Sequence, residues 1–170
     1  SFTLLQALKN LTPRITAVVN MSDDGGSTGT LRDELGVLPP GDIRQCLVAL
    51  SGSTEVRNLF SYRFSEGRFE GQSLGNIILS GLELQHGSFA EAVRVAGDIL
   101  HITGQVVPVT LDKHSLLMQE GDETIRGASV ITNRPIIHSD ATVRLEPAAV
   151  LNPLARQAIV TPTVARNPRI

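Results

Sequence analysis

Apolar residues recur at helical spacing near the start of the chain and then form a short extended run. Residues 2–11 carry apolar side chains one to three positions apart and stop before Pro13, which predicts an amphipathic helix. Residues 15–19 are apolar or β-branched throughout, which predicts a parallel strand buried on both faces. A helix followed by such a strand favours a sheet with crossover connections.

The middle of the chain has the pattern of successive helices. We predict helices over residues 28–35, 43–50, 77–84 and 89–100. Gly36 marks the end of the first helix, and Asp42 and Ser88 are expected to cap the second and the fourth. Cys46 lies within an apolar run, so it is interpreted as a small core residue rather than a nucleophile.

From residue 106 the pattern changes from helical to extended. Residues 106–111, 115–119 and 124–127 predict antiparallel strands, with a hairpin turn at residues 121–122. The sequence therefore predicts an α/β fold in which a parallel sheet with helices is joined by a small antiparallel β element near residues 106–131.

The composition of the chain mainly excludes some classes of protein and of partner. The 170 residues are 41% hydrophobic with a net charge of -2, so one domain can bury a core and no cationic face is expected for nucleic acid. The single cysteine cannot form an internal disulfide, and no apolar run approaches the roughly 20 residues that a membrane span needs. We expect a cytoplasmic protein with no nucleic-acid partner and no membrane span.

Residues 22–29 form a glycine-rich acidic loop directly after the first predicted strand. Adjacent carboxylates on Asp23 and Asp24, three glycines, and hydroxyls beside a helix start are the parts of a phosphate or metal-phosphate cradle. Because a bare carboxylate pair repels phosphate, the acids predict a cation, a ribose or a sugar. The alternative, left open by the sequence, is a plain turn in which Ser27 or Thr28 caps the helix. We expect Asp24→Ala to alter ligand affinity with little effect on folding, since a solvent-facing loop acid contributes little to the core.

Two later helix starts carry further candidate contacts. Asp42 and Arg44 follow a proline turn, from which an arginine can reach a phosphate, although an N-cap with an exposed basic side chain is the favoured alternative. Ser73 and Asn76, with Gln72, lie at another predicted start, and capping explains them equally well.

The four histidines are not assigned to any site. They lack the spacing of metal ligands, so they are interpreted as surface or strand-end residues without a catalytic role. These residues are His86, His101, His114 and His138.

A long ungapped stretch resembles a known family. Its segments are DDGGSTG at 23–29, LR at 31–32, ELGVLPPGDIR at 34–44 and LVAL at 47–50. They resemble the gluconeogenesis factor family (YvcK-like), which is related to 2-phospho-L-lactate transferase (CofD-like). The resemblance extends to residues 59–64, 73–76 and 106–111 in the same order.

The resemblance implies a Rossmann-like parallel sheet with flanking helices, whose cleft binds a nucleotide-type ligand such as a UDP-sugar or a dinucleotide. It implies a regulator of central carbon metabolism, cell-wall synthesis and cell shape, in preference to an enzyme. The alternative is a Mg2+-dependent 2-phospho-L-lactate transferase-like enzyme, a phospho-group transferase, in which Asp23 and Asp24 would hold the metal. A homo-oligomer is left open. The expected ligand-binding residues are Asn20, Asp23, Asp24, Gly25, Gly26, Ser27, Thr28, Gly29, Asp42, Arg44, Ser73 and Asn76.

Two departures from the family pattern concern the ends of the chain. The family usually begins with a strand and a Gly-Gly-Thr-Gly loop before the helix that starts here, and it continues past residue 160 with a further glycine-rich loop. We therefore expect one CofD/YvcK-like α/β domain over residues 1–170, incomplete at both ends.

Overall fold

The computed structural model describes residues 2–135 and 140–160, which form helices and short strands. The helices are α1 Phe2–Leu8, α2 Gly26–Leu35, α3 Gly41–Leu50, α4 Thr54–Ser61, α5 Leu74–His86, α6 Phe89–Leu100, α7 Ala128–Thr132 and α8 Pro153–Val160, with a 3-10 turn at Gly67–Phe69. The strands are β1 Thr16–Val19, β2 Gln105–Pro108, β3 Ser115–Glu120, β4 Glu123–Arg126 and β5 Thr142–Glu146. Within these residues, no helix is long and apolar enough to cross a membrane.

A parallel pair of strands forms the centre of the larger core. β1 pairs with β2 in a register that sets Thr16 opposite Gln105 and Val19 opposite Pro108. The prediction that residues 106–111 join an antiparallel element is therefore wrong, because an extended pattern does not say which strand will be its partner. β1 is also less buried than predicted, since only Val19 is fully buried. The core helix α3 packs against both strands.

A separate antiparallel sheet has the strand order β4-β3-β5. The hairpin of β3 and β4 is confirmed, whereas β5 and α8 were not predicted from the pattern. This sheet packs around its own small apolar cluster of Met118, Ile125 and Ile131. The fold class is confirmed: a parallel sheet flanked by helices, with a small antiparallel sheet beside it.

Local signals placed the helix ends to within a few residues. Gly36 ends α2 in the left-handed conformation, with φ 66°, as glycine favours. Ser88 caps α6 by accepting the Glu91 N–H at 3.3 Å. Asp42 is not a cap, because α3 begins at Gly41 and Asp42 lies in its first turn. Cys46 is buried in the core, as predicted.

Candidate ligand-binding site

The N-termini of three helices lie together beside the acidic loop, which follows the carboxyl end of β1. Gly41, the first residue of α3, lies so close to α2 that a Cβ there would sit 2.3 Å from Thr28 Oγ1. The Ser73 N–H, just before α5, donates to Ser27 Oγ of α2 at 3.1 Å. Arg44 of α3 donates from Nε to Asn76 Oδ1 of α5 at 2.9 Å. The first turns of α2, α3 and α5 are therefore in mutual contact.

None of these three helix starts is capped by a side chain. Gly25 and Pro40 precede α2 and α3 and have no side chain that could accept an N–H, and Ser73 precedes α5 without capping it. By contrast, α4 and α6 are capped by serines. Uncapped N-terminal amides and the positive ends of three helix dipoles favour a bound anion.

Ser27 joins the starts of α2 and α5 and has little capacity left for a ligand. Its hydroxyl donates to Gln72 Oε1 at 2.9 Å and accepts from Ser73 N and from Asn76 Nδ2 at 3.1 and 3.2 Å. The Ser73 hydroxyl, in a residue that is 1% exposed, has no partner among the described residues. An unpaired buried hydroxyl costs free energy, so it is the one polar group here that gains most from a ligand.

Two carboxylates lie close enough at this junction to interact electrostatically. Asp23 Oδ1 accepts the Gly25 N–H at 3.2 Å, and its Oδ2 lies 2.9 Å from the position of a Cβ on Gly41. Burial and then repulsion from Asp23 raise the pKa of Asp42, while Arg44 opposes the rise. A cation or a ligand hydroxyl between Asp23 and Asp42 would relieve that repulsion.

Asp24 faces away from this junction. Its Oδ2 accepts the Ala128 N–H at 2.9 Å and its Oδ1 accepts the Ser129 N–H at 2.8 Å, at the start of α7. Burial alone would raise the pKa of Asp24, but the hydrogen bonds from Ser129 and Ala128 and the charge of Arg32 outweigh it and lower the pKa. The interpretation of Asp24 as a solvent-facing loop acid is therefore wrong.

Arg44 adds a positive charge to the junction. Burial lowers the pKa of its guanidinium, and repulsion by Arg63 lowers it further, against the attraction of Asp42. Nη1 makes only a long bond, 3.4 Å, to the Phe60 carbonyl. The aliphatic stem is held by Gly75, where a Cβ would meet Arg44 Cδ at 2.7 Å.

The remaining predicted residues lie along the loop. Asn20 is exposed just after β1, and Gly26 is exposed with φ 47°. Gly29 is buried where a Cβ would lie 2.2 Å from the Asp24 carbonyl, so this position requires glycine. No group of three His, Cys, Asp or Glu that could hold a metal occurs among the described residues. The pair Asp23 and Asp42, with the Thr28 hydroxyl nearby, is the set of oxygen donors most suited to Mg2+.

Several contacts around the loop were not predicted from the sequence. His114 is buried against Ser22, so it is not a surface residue. Arg63 lies close enough to Arg44 to lower the pKa of its guanidinium. His86 and His101 are exposed, and His138 lies outside the described residues.

Two cavities lie away from the junction. One, of about 850 Å³, is lined by α6, β2 and the segment containing Asn152 and Leu154, and it contains none of the predicted residues. The other, of about 170 Å³, lies beside the loop and is lined by residues that include Arg32, Lys113 and His114. The candidate site is therefore defined by converging polar groups rather than by the larger cavity.

Comparison with known proteins defines the class. A family model described as 2-phospho-L-lactate transferase CofD matches residues 2–164. The chain therefore belongs to the CofD family, as the sequence motifs predicted.

Relatives with a given name show which members of the CofD family the chain is similar to. The chain is 39% identical to the gluconeogenesis factor of Listeria monocytogenes over 132 residues, which are 75% of this chain and 41% of that protein. It is 43% identical over 109 residues to the gluconeogenesis factor of Halalkalibacterium halodurans, 63% of this chain and 34% of that protein. The chain is thus similar to gluconeogenesis factors and spans less than half of their length.

Solved structures show the same fold. A crystal structure of a Bacillus halodurans protein matches with a TM-score of 0.86 and 36% identity, over 93% of this chain and 51% of that chain. A second structure, described as a member of the UPF0052 family, matches with a TM-score of 0.84 and 35% identity.

Proposed function

We propose that this chain carries the phosphate-binding part of a nucleotide-sugar site, for a UDP-sugar such as UDP-N-acetylglucosamine, in a regulator of the gluconeogenesis factor type. Such a regulator would act in central carbon metabolism, cell-wall synthesis and cell shape. The observation that carries the proposal is the meeting of three uncapped helix N-termini at α2, α3 and α5.

A diphosphate fits this junction electrostatically. Each helix N-terminus favours a nearby negative charge by about 0.3–1 kcal/mol, and the first turns of three helices are in contact at this junction. Arg44 adds a guanidinium with donors to spare, and Ser73 adds a hydroxyl without a partner. Asp23 and Asp42 suit the hydroxyl groups of a ribose or sugar, which donate hydrogen bonds that carboxylates accept.

A transferase is the second candidate, and one observation favours it. The pKa of Asp42 is raised by burial and then by the charge of Asp23, so a cation bound between the two carboxylates would be favoured. Mg2+ held by this pair could orient a phosphate for transfer of a phospho group. Because both oxygens of Asp24 already bond α7, Asp23 would pair with Asp42 rather than with Asp24.

Isothermal titration with UDP-N-acetylglucosamine, with and without Mg2+, separates the two candidates. Saturable binding that is indifferent to Mg2+ supports the regulator. Absence of binding, together with Mg2+-dependent transfer from a phospholactate donor, supports the transferase.

Arg44→Gln tests whether the binding is at this junction. Loss of a charged hydrogen bond of about 1.5 kcal/mol should weaken binding about tenfold. The matched control is Arg156→Gln on α8, where the arginine is exposed and has no side-chain partner among the described residues. Equal affinities for the two variants would contradict the proposed position of the phosphates.

A further inference from the structure

A hairpin over residues 62–73 connects α4 to α5. Its two sides are held by the Phe64 N–H, which donates to the Gln72 carbonyl at 3.0 Å. Next to this bond, Arg63 and Ser73 form an antiparallel bridge. Because Ser73 directly precedes α5, the bridge places Arg63 beside the start of that helix.

The side chains of Arg63 and Ser73 lie on the same face of this hairpin. Side chains alternate between the faces of a strand, and residues directly opposite each other share a face. The rings of Tyr62 and Phe64 are in contact, with centroids 5.2 Å apart, so they occupy one face and Arg63 lies on the other. Bridge partners have Cβ atoms about 4.5–5.5 Å apart. Arg63 therefore starts next to the buried Ser73 hydroxyl, which has no partner among the described residues.

Arg44 lies at the base of the same hairpin. Its Nη1 donates to the carbonyl of Phe60, near the end of α4, at 3.4 Å. On the other side of the hairpin, a Cβ on Gly75 would lie 2.7 Å from Arg44 Cδ. Two guanidinium groups therefore belong to one hairpin, with Arg44 at its base and Arg63 further along it.

These two guanidinium groups repel each other. Burial lowers the pKa of Arg44, and the charge of Arg63 lowers it further, against the attraction of Asp42. The ion pairs among the described residues involve neither arginine. Arg63 Nη1 donates to the Gly71 carbonyl, and its other nitrogens have no partner in the described part of the chain. An anion that accepts from both guanidinium groups would replace the repulsion with two attractions.

We propose that Arg63 is a second phosphate-binding residue and that, with Arg44 and Ser73, it makes the site select a diphosphate over a monophosphate. Arg44 is fixed beside the first turns of α3 and α5, where it reaches the first phosphate. The second phosphate extends along the hairpin to Arg63, whose planar fork of N–H groups matches phosphate oxygens. The inference rests on the proposed function in placing phosphates at the junction, and it adds the class of phosphate.

Titration calorimetry with inorganic pyrophosphate and with orthophosphate, in the absence of divalent cations, tests this selectivity. We expect the unaltered chain to bind pyrophosphate at least about tenfold more tightly than orthophosphate. Arg63→Gln should weaken pyrophosphate binding about tenfold and orthophosphate binding less than about twofold. Arg63→Lys keeps the charge but not the planar fork, so its loss should lie between those of the unaltered chain and Arg63→Gln.

Arg68→Gln is the matched control. Arg68 lies in the 3-10 turn of the same hairpin, is exposed, and has no side-chain partner among the described residues. Both glutamine variants remove one positive charge, so a general loss of charge would affect them equally. Arg63 is exposed, so the unfolding midpoints of both variants, followed by circular dichroism, should match that of the unaltered chain.

Three results would overturn the inference. They are equal affinities of the unaltered chain for the two phosphates, equal pyrophosphate affinities of Arg63→Gln and Arg68→Gln, and no binding of pyrophosphate at all.

Titration with UDP-N-acetylglucosamine separates this inference from the proposed function. Binding that is weakened by Arg44→Gln and not by Arg63→Gln would support the proposed function and contradict the role of Arg63. Selectivity for pyrophosphate that depends on Arg63, with no binding of UDP-N-acetylglucosamine, would support the inference and contradict the proposed nucleotide-sugar ligand.

Discussion

The carboxylate of Asp24 connects the acidic loop to the antiparallel sheet, so Asp24→Ala should destabilise the protein. The substitution removes two acceptors and leaves the Ala128 and Ser129 N–H groups without them. The apolar cluster of the antiparallel sheet is separate from the main core, and this contact is a polar link between the two. Asp24→Ala should therefore lower the stability of the fold, and not only the affinity for a ligand.

The magnitude follows from the number and type of bonds. A helix cap contributes about 0.5–2 kcal/mol, and here a charged group accepts twice in a half-buried setting. We expect Asp24→Ala to lower the free energy of unfolding by about 2 kcal/mol, which is a fall of about 4–8 °C in Tm for a chain of this size. Asp24→Asn keeps one acceptor and should lose about half as much.

Urea unfolding followed by circular dichroism measures this cost. The control is Asp33→Ala, because Asp33 is exposed on α2 and bonds none of the described residues. The pKa of Asp24 is lowered in the folded state, so its stabilisation is present above the unfolded value of 3.8 and is lost as the pH falls through the folded value. The free energies of unfolding of Asp24→Ala and Asp33→Ala should therefore converge as the pH falls. A cost for Asp24→Ala within about 0.5 kcal/mol of that for Asp33→Ala at neutral pH would refute the reasoning.

The same unfolding assay checks three further substitutions at the helix junction. Gly41→Ala should lose about 1–3 kcal/mol, because its Cβ would lie 2.3 Å from Thr28 Oγ1; an unchanged midpoint would contradict the close packing. Ser27→Ala should lose about 2 kcal/mol, since it removes three hydrogen bonds, and a neutral effect would show that they are replaced by water. Asp42→Asn should raise the free energy of unfolding at pH 7 by less than about 1 kcal/mol, because solvent screens the repulsion of a half-exposed carboxylate. The folded pKa of Asp42 is raised, so its charge is a penalty that appears as the pH rises above 3.8; a gain that persists in strong acid would contradict this cause.

Local signals in the sequence predicted much of the fold. Gly36 ends α2 and Ser88 starts α6 through contacts that act within one helical turn. The strands β3 and β4 are adjacent along the chain, so the turn between them could be predicted from the residues at that point. β5 was missed because its residues are mostly exposed and its partner is β3 rather than a neighbour in the chain. A short sequence pattern does not predict which distant segments will pair.

The candidate site was predicted in outline but not in its contacts. The loop at 22–29 stands out because its carboxylates, glycines and hydroxyls are contiguous. The partners that determine what each group does are remote: Ser129 is 105 residues from Asp24, and His114 is 92 residues from Ser22. Neither partner has a sequence signature, so only the fold shows that Asp24 is a tether and that Ser22 is linked to a histidine.

The central claim is that the ligand's phosphates bind where α2, α3 and α5 begin, and amide chemical-shift mapping tests it most directly. UDP-N-acetylglucosamine is added to the isotopically labelled chain and the shifted backbone amides are identified. We predict that the first-turn amides of all three helices, including Thr28, Asp42 and Asn76, shift together with one saturation curve. Shifts confined to the cavity lined by α6 and β2, with these amides unmoved, would contradict the account.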